Sequence, residues 1–196
     1  MYHFSEDPTI ARFAPHVPRT NPDHPPAVWA IDAEHAPLYW FPRDCPRVTV
    51  WPLDQSAAAQ FEQTFNTVAH RVHAIELGWL DRMRTTELHR YEFDAADFTP
   101  WQAASGQWIA DHEVAPLSIT PVGDLLMAHA RAGIELRLVP SLWPLHDLAV
   151  GDLAGDLAGD LAVGDRCDFS LVRMANAQPR DQPSTTTART TRDDIR

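Results

Sequence analysis

The sequence predicts an α+β fold: a mixed, largely antiparallel sheet with one long amphipathic helix packed on it and several shorter helices. Three observations lead to this class. Strand-like segments outnumber helical ones and do not alternate with them, one long segment has helical periodicity, and seventeen prolines indicate stiff loops between short elements. The 196 residues, 44% of them apolar, are enough to bury the core of a single domain.

The first quarter of the chain is predicted to contain three strands and a short helix. The strands cover residues 2–4, 28–31 and 47–51, which are rich in aromatic or β-branched side chains. Asp32 is placed to cap a short helix that carries Tyr39 and Phe41. The polar, proline-rich residues 14–26 are predicted to form a long loop between the first two strands.

The clearest periodicity lies between residue 57 and about residue 84. Apolar side chains recur there every three or four residues, at Phe61, Phe65, Val68, Val72, Ile75, Trp79 and Met83. Side chains at this spacing share one face of a helix. The segment is therefore predicted to be the long amphipathic helix that covers the sheet.

The remainder of the chain is predicted to form further strands and one short helix. The strands cover residues 88–93, 108–110, 114–119, 134–139 and 169–174, and the helix covers 123–132, before Gly133. Residues 151–165 repeat the unit Gly-Asp-Leu-Ala three times and are predicted to be a surface loop. The polar residues 177–196 are predicted to be a disordered tail, so that the globular domain spans 1–176.

Composition excludes several classes of function. The formal charge is -11, and all sixteen basic residues are arginine. Without lysine, a Walker-type phosphate loop and a Schiff-base mechanism are excluded, and the acidic balance argues against general nucleic-acid binding. With two cysteines, no apolar stretch long enough to span a membrane and no signal-like beginning, we expect a cytoplasmic protein without a membrane partner. The oligomeric state is not indicated.

Two polar clusters interrupt apolar segments near the start of the chain. His3 and Ser5 stand on and beside the first strand, where the imidazole either donates a hydrogen bond to a ligand or is a satisfied core histidine. Arg43 and Arg47 flank a proline-braced turn, where they either clamp a phosphate or carboxylate or pair with acidic side chains. Cys45, within that turn, is predicted to be a buried thiol rather than a nucleophile.

A third cluster surrounds Glu113. Trp108 and Trp29 could line a pocket around this carboxylate, and their indole surfaces would raise its pKa and suit it to general acid or base chemistry. The alternative is a carboxylate at a hairpin tip in solvent. His70 and His73 are spaced by three on the predicted helix, but they flank its apolar stripe, so no metal site is expected.

Several runs of residues resemble a family of uncharacterised bacterial proteins. They are the runs beginning Tyr2-His3-Phe4-Ser5-Glu6, Val28-Trp29-Ala30-Ile31, Phe41-Pro42-Arg43-Asp44-Cys45 and Gly123-Asp124-Leu125-Leu126, together with 108–116. The resemblance covers roughly residues 2–176 and carries no established activity. The repeat at 151–165 and the tail depart from the family's pattern.

The order of these parts is more distantly similar to ADP-ribosyltransferase-like folds. That resemblance implies NAD as a substrate and three catalytic residues. His3 would hold the ribose next to nicotinamide, Tyr39 would stack on nicotinamide, and Glu113 would stabilise the oxocarbenium-like state as the glycosidic bond breaks. Arg43 or Arg47 would then hold the pyrophosphate.

Two hypotheses of function follow. The first is an NAD-dependent ADP-ribosyltransferase-like enzyme with a nucleotide-sized pocket formed by His3, Ser5, Trp29, Tyr39, Arg43, Arg47 and Glu113, with Trp108 beside it. The second is a non-catalytic module in which the same arginine and aromatic residues bind a small anionic ligand or a partner protein. Both require segments that are far apart in the sequence to line one cavity.

Overall fold

Ten strands and four α-helices form the framework in the computed structural model, which describes residues 1–17, 25–52, 55–101, 106–150 and 171–180. The strands are β1 Tyr2–Ser5, β2 Val28–Ile31, β3 Arg47–Val50, β4 Val72–Glu76, β5 His89–Glu92, β6 Thr99–Pro100, β7 Gln107–Ala110, β8 Ser118–Pro121, β9 Glu135–Val139 and β10 Leu171–Arg173. The helices are α1 Ala58–Phe65, α2 Leu80–Thr85, α3 Leu125–Arg131 and α4 Trp143–Val150. The predicted α+β class is confirmed.

The strands form two sheets rather than one. The larger sheet is wholly antiparallel and has the order β6-β7-β2-β1-β5-β8. The smaller sheet has the order β10-β3-β4-β9, in which β4 and β9 are parallel and the other pairs are antiparallel. The prediction of a mixed, largely antiparallel arrangement therefore holds, although it is divided between two sheets.

Within the described residues, three apolar clusters hold these layers together. One packs α1 and α4 on the smaller sheet, and a second packs Phe13 and Tyr91 on one face of the larger sheet. The third contains Phe41, Cys45, Ile75, Met83, Leu88 and Leu125, which come from the segment before β3, from β4, and from the region of α2 and α3. Phe4 of β1 packs against this third cluster, which therefore joins the two sheets.

The predicted long helix over 57–84 is wrong. Its span contains α1, the strand β4, a short 3-10 helix at Leu77–Trp79 and α2. Asn66 adopts a left-handed backbone with φ 47° and ends α1, and the Thr67 hydroxyl then accepts a hydrogen bond from the Ala69 amide at 3.0 Å. This turn sends the chain into β4.

The apolar spacing led to the wrong prediction of a helix because β4 is buried along its whole length. Val72 and Ala74 belong to the cluster with α1 and α4, and Ile75 belongs to the third cluster, so both faces of β4 are covered. All five of its residues are therefore inaccessible, and it lacks the alternation of a half-exposed strand. Val68, a member of the predicted stripe, is 97% exposed in the turn, whereas Ile75 is completely buried.

Smaller differences concern the second half of the chain. Of the predicted strand 114–119, Val114 forms only an isolated bridge with Phe13, and β8 begins at Ser118. Helix α4 was not predicted. The repeat at 151–165 lies outside the described residues, as does most of the predicted tail.

The described start of the predicted tail packs against the domain. The Gln178 amide donates to Glu76, and the Trp143 indole donates to the Gln178 carbonyl oxygen at 2.8 Å. Arg180 pairs with Asp147 at 2.6 Å. Packed structure therefore extends past residue 176. No helix in the part of the chain that the structure describes is long and apolar enough to cross a membrane.

Truncation of Ile75 and of Val68 should have unequal effects, although both belong to the same sequence stripe. Ile75→Ala removes a fully buried side chain from β4 and should lower the free energy of unfolding by about 2–5 kcal/mol. Val68→Ala, at an exposed turn, should change it by less than about 0.5 kcal/mol. Urea denaturation measures both, and equal losses would favour the continuous helix over the strand.

Candidate functional site

A pocket opens beside the first pair of strands in the larger sheet. β1 and β2 pair only through Tyr2 and Ile31, although β1 pairs along its whole length with β5 and β2 with β7. His3 bridges the two strands beyond that pair: its Nδ1 lies 3.0 Å from the Trp29 carbonyl oxygen. The cavity beside them has a volume of about 250 Å³.

The pocket lies where the two sheets meet. One wall comes from the larger sheet, with aromatic residues of β1 and β2 and the first residue of β7, Gln107. A second wall comes from Arg47 of β3, Arg173 of β10, the turn 42–44 and Tyr39 at the end of a short 3-10 helix, Ala36–Tyr39. The lining therefore combines an arginine-rich wall with one that is largely aromatic.

Six of the residues predicted from the sequence line this pocket. They are His3, Ser5, Trp29, Tyr39, Arg43 and Arg47. Their segments are far apart in the sequence, and β1, β2, β3 and the 3-10 helix before β3 bring them together.

Glu113 does not line the pocket. β7 runs antiparallel to β2, so its first residue, Gln107, lies opposite Ile31 at the pocket, and its last, Ala110, lies opposite Val28. Glu113 follows the far end of the strand and forms an ion pair with Arg12 at 2.9 Å, with about half of its side chain exposed. The expectation that it shares a cavity with His3 and Tyr39 is not met.

Trp108 is also absent from the pocket lining. Side chains alternate between the faces of a strand, and Trp108 lies opposite Ala30, on the face that packs against Phe13 and Tyr91. Trp29, one residue before Ala30, projects to the other face and lines the pocket. The two indoles therefore do not flank a common carboxylate.

Arg47 is the most deeply buried charged residue of the pocket, with 4% of its surface exposed. Its guanidinium donates to the Cys45 carbonyl oxygen at 3.1 Å and lies 4.9 Å from the centre of the Phe41 ring. Its Nε has no hydrogen-bond partner, and no carboxylate pairs with it among the described residues. Burial lowers the pKa of Arg47 to about 10, which leaves it charged at neutral pH.

The other charged groups of the pocket are mostly paired. Arg173 binds Asp44 at 2.5 Å, and Glu6 accepts from the Arg43 amide at 2.6 Å and from the Arg82 side chain at 3.1 Å. Both carboxylates of the lining thus have hydrogen-bonding partners, which leaves the Arg47 charge without a balancing carboxylate among the described residues.

Tyr39 and His3 are neutral at neutral pH. Burial raises the pKa of Tyr39, whose ring stacks parallel to Phe4 with centroids 6.4 Å apart. Burial also lowers the pKa of His3. Because the Trp29 carbonyl can only accept, His3 carries its proton on Nδ1 and keeps a lone pair on Nε2.

Cys45 is the buried thiol that the sequence predicts. Its side chain is inaccessible, and burial raises its pKa to about 12. A thiol of that pKa carries almost no thiolate at neutral pH, so it is not a nucleophile in this state.

His70 and His73 do not form a metal-ligand pair on one helix face. His70 is exposed in the turn before β4, whereas His73 is fully buried within that strand. His73 instead contacts His129 of α3, with its Nδ1 3.0 Å from the His129 Nε2. His129 Nδ1 donates to the Leu125 carbonyl oxygen at 2.7 Å, so His129 Nε2 accepts from His73 Nδ1. His73 Nε2 then has no partner among the described residues.

Gln107 and Arg173 also line the pocket, and neither was predicted from the sequence. Gln107 was missed because the strand was predicted to begin at Trp108, one residue too late. Arg173 lay within a predicted strand, but no local pattern shows that β10 pairs with β3 beside Arg47.

A family model described as "Family of unknown function (DUF6886)" matches residues 2–177. The chain belongs to this family. The resemblance to a family of uncharacterised proteins is therefore confirmed, and the DUF6886 match spans all the pocket residues. No curated protein and no solved structure matches the chain.

The buried histidines of this DUF6886 protein should make it unstable in mild acid. Burial lowers the pKa values of His3, His73 and His129 below 6.5, so the unfolded chain binds more protons than the folded chain at lower pH. The free energy of unfolding should therefore fall as the pH drops below about 6.5, by up to about 1.4 kcal/mol per pH unit for each histidine. Urea denaturation at pH 7 and pH 5 measures the loss.

A double variant tests the origin of this pH dependence. Replacing both members of the buried pair, in His73→Leu/His129→Met, should reduce the stability lost between pH 7 and pH 5. His112→Gln is the matched control, because His112 is exposed and Asp111 raises its pKa, so its removal should not reduce the loss. A double variant that loses as much stability as the unmodified protein contradicts the assignment.

Proposed function

We propose that this protein binds a small anionic ligand through Arg47 in the pocket between the two sheets. Among small anions, phosphorylated compounds suit this pocket best. One observation carries the proposal: a buried, charged guanidinium lines a cavity and has no carboxylate partner among the described residues. A buried charge without an opposite charge is costly, and an anion in the cavity would remove that cost.

The environment of Arg47 supports binding of phosphate or carboxylate. Guanidinium groups bind such anions through two parallel hydrogen bonds, and the rings of Phe41 and Tyr39 hold the Arg47 group in place from 4.9 and 5.9 Å. The Cys45 carbonyl fixes its position further. A side chain held in this way loses little conformational entropy when a ligand binds.

The size of the cavity favours a small ligand. Its volume of about 250 Å³ is below the roughly 300–1,000 Å³ of pockets that enclose drug-sized molecules. A mononucleotide or a sugar phosphate suits such a space, and a dinucleotide would extend beyond it. The exposed Arg43 at the rim, without an ion-pair partner among the described residues, would add attraction for the anion.

A second candidate is an ADP-ribosyltransferase-like activity on NAD. It is favoured by one observation: His3 and Tyr39, the residues that this resemblance assigns to ribose and nicotinamide, line the same pocket. The position of Glu113 argues against the third assignment, because that carboxylate pairs with Arg12 outside the pocket. Any such enzyme would have to stabilise its transition state without Glu113.

Loss of the Arg47 charge should abolish anion binding. Inorganic phosphate and ribose 5-phosphate should raise the melting temperature of the protein, and this increase should disappear in Arg47→Met. Differential scanning calorimetry and titration calorimetry measure both effects. Because Arg47 is buried, Arg43→Gln serves as a second variant at an exposed position, where binding should weaken while the fold is retained.

Arg12→Gln is the matched control for these variants. It removes an arginine that is two-thirds exposed and lies outside the pocket, so ligand binding should not change. If neither phosphate compound binds the unmodified protein, or if Arg47→Met and Arg43→Gln bind as well as it does, the proposed function is wrong.

The NAD hypothesis makes a separate prediction. If the protein cleaves NAD, release of nicotinamide should fall by at least about a hundredfold in His3→Ala and remain unchanged in Glu113→Gln. Chromatographic measurement of nicotinamide, with and without a nucleophilic acceptor, provides the assay. Absence of nicotinamide release together with phosphate binding would favour the binding function, and strong dependence on Glu113 would contradict the site described above.

A further inference from the structure

Gln107 is held firmly at the pocket by its backbone. Gly106, directly before it, has φ +74°, and a Cβ there would approach within 2.2 Å of the His35 ring. The Gly106 carbonyl oxygen accepts from the Asp32 amide at 2.9 Å, and the Gln107 carbonyl oxygen accepts from the Trp101 amide at 2.8 Å. The start of β7 therefore has little freedom to move relative to β2.

The side chain of Gln107, in contrast, is not held by hydrogen bonds in the part of the chain that the structure describes. It makes no hydrogen bond to any other residue in the described ranges, although it is half-buried and lines the cavity. A primary amide offers both donors and an acceptor on one plane. A residue that recognises a ligand is expected to have a rigid backbone and a side-chain amide that is free to form hydrogen bonds in the pocket, as Gln107 has among the described residues.

The chemistry of the two walls differs. The wall with Arg47 and Arg173 suits an anion, whereas Gln107 belongs to the sheet whose Tyr2 and Trp29 line the same cavity. Aromatic rings provide faces for a planar base, and an amide reads a neighbouring pair of donor and acceptor groups on its edge. Because Gln107 is uncharged, it adds no repulsion toward a ligand that carries negative charge.

We propose that Gln107 determines specificity and that the ligand class is the nucleoside monophosphates, with the base edge at Gln107 and the phosphate at Arg47. This inference rests on the proposed function. It also fits the cavity of about 250 Å³, which suits one nucleotide better than two. Sugar phosphates would occupy only the arginine end of the pocket.

Titration calorimetry with a panel of ligands tests the inference. The panel contains inorganic phosphate, ribose 5-phosphate and the monophosphates of adenosine, guanosine, cytidine and uridine. At least one nucleotide should bind about tenfold more tightly than ribose 5-phosphate, the value expected for two added hydrogen bonds. In Gln107→Met, the four nucleotides should bind within about twofold of one another, because stacking on Tyr2 and Trp29 does not distinguish the bases, and the affinity for inorganic phosphate should be unchanged.

Two further variants make the result specific. Gln107→Glu keeps the shape but loses the donors and adds a negative charge, so all phosphorylated ligands should bind more weakly than to the unmodified protein. Gln63→Met alters an exposed glutamine of α1 outside the pocket lining and should leave the preference for the nucleotide unchanged.

The outcomes separate this inference from the proposed function. If ribose 5-phosphate binds as tightly as every nucleotide, or if Gln107→Met keeps the nucleotide preference, the role of Gln107 is overturned while binding at Arg47 stands. If a nucleotide preference that depends on Gln107 persists in Arg47→Met, the proposed anion site is wrong. The role of Gln107 in recognising the base is then still supported. If none of the ligands binds, both are wrong.

Discussion

The Arg47 guanidinium is charged and buried, and no carboxylate among the described residues pairs with it. The contacts that surround this group are those that a buried charge requires. A charge removed from water needs compensation, which here comes from the Cys45 carbonyl oxygen and from the faces of Phe41 and Tyr39. These contacts connect the smaller sheet with the segment before β3. The same group raises the electrostatic potential of a cavity in a chain whose formal charge is -11, so the cavity is more positive than the acidic protein around it.

The fold class could be predicted from the sequence because most strands are short, half-buried segments bounded by turns. The first two strands and the one at 47–51 were placed correctly to within a residue. The segment 57–84 was predicted wrongly, because β4 is buried on both faces. Its apolar residues therefore continue the three- and four-residue spacing that begins in α1. Periodicity reports which side chains are buried, but at a central strand it does not report whether the backbone is helical or extended.

Only part of the pocket lining could be predicted from local sequence patterns. Strand position and polar residue type were enough to select His3, Tyr39, Arg43 and Arg47, which the fold then brings together. They were not enough to distinguish the two ends of β7, because that choice depends on its antiparallel register with β2. Gln107 is the first residue of this strand and Glu113 follows its last, and only the register decides which of them lines the pocket.

The order in which the chain is synthesised gives the pocket a further property. β1 lies near one end of the sequence and β10 near the other, yet both contribute to the same cavity. During translation the lining of the cavity is therefore complete only after the segment of β10 has been synthesised, because pairing between distant segments needs both of them. Any molecule that bound in this cavity would stabilise the completed domain and not a partly folded intermediate.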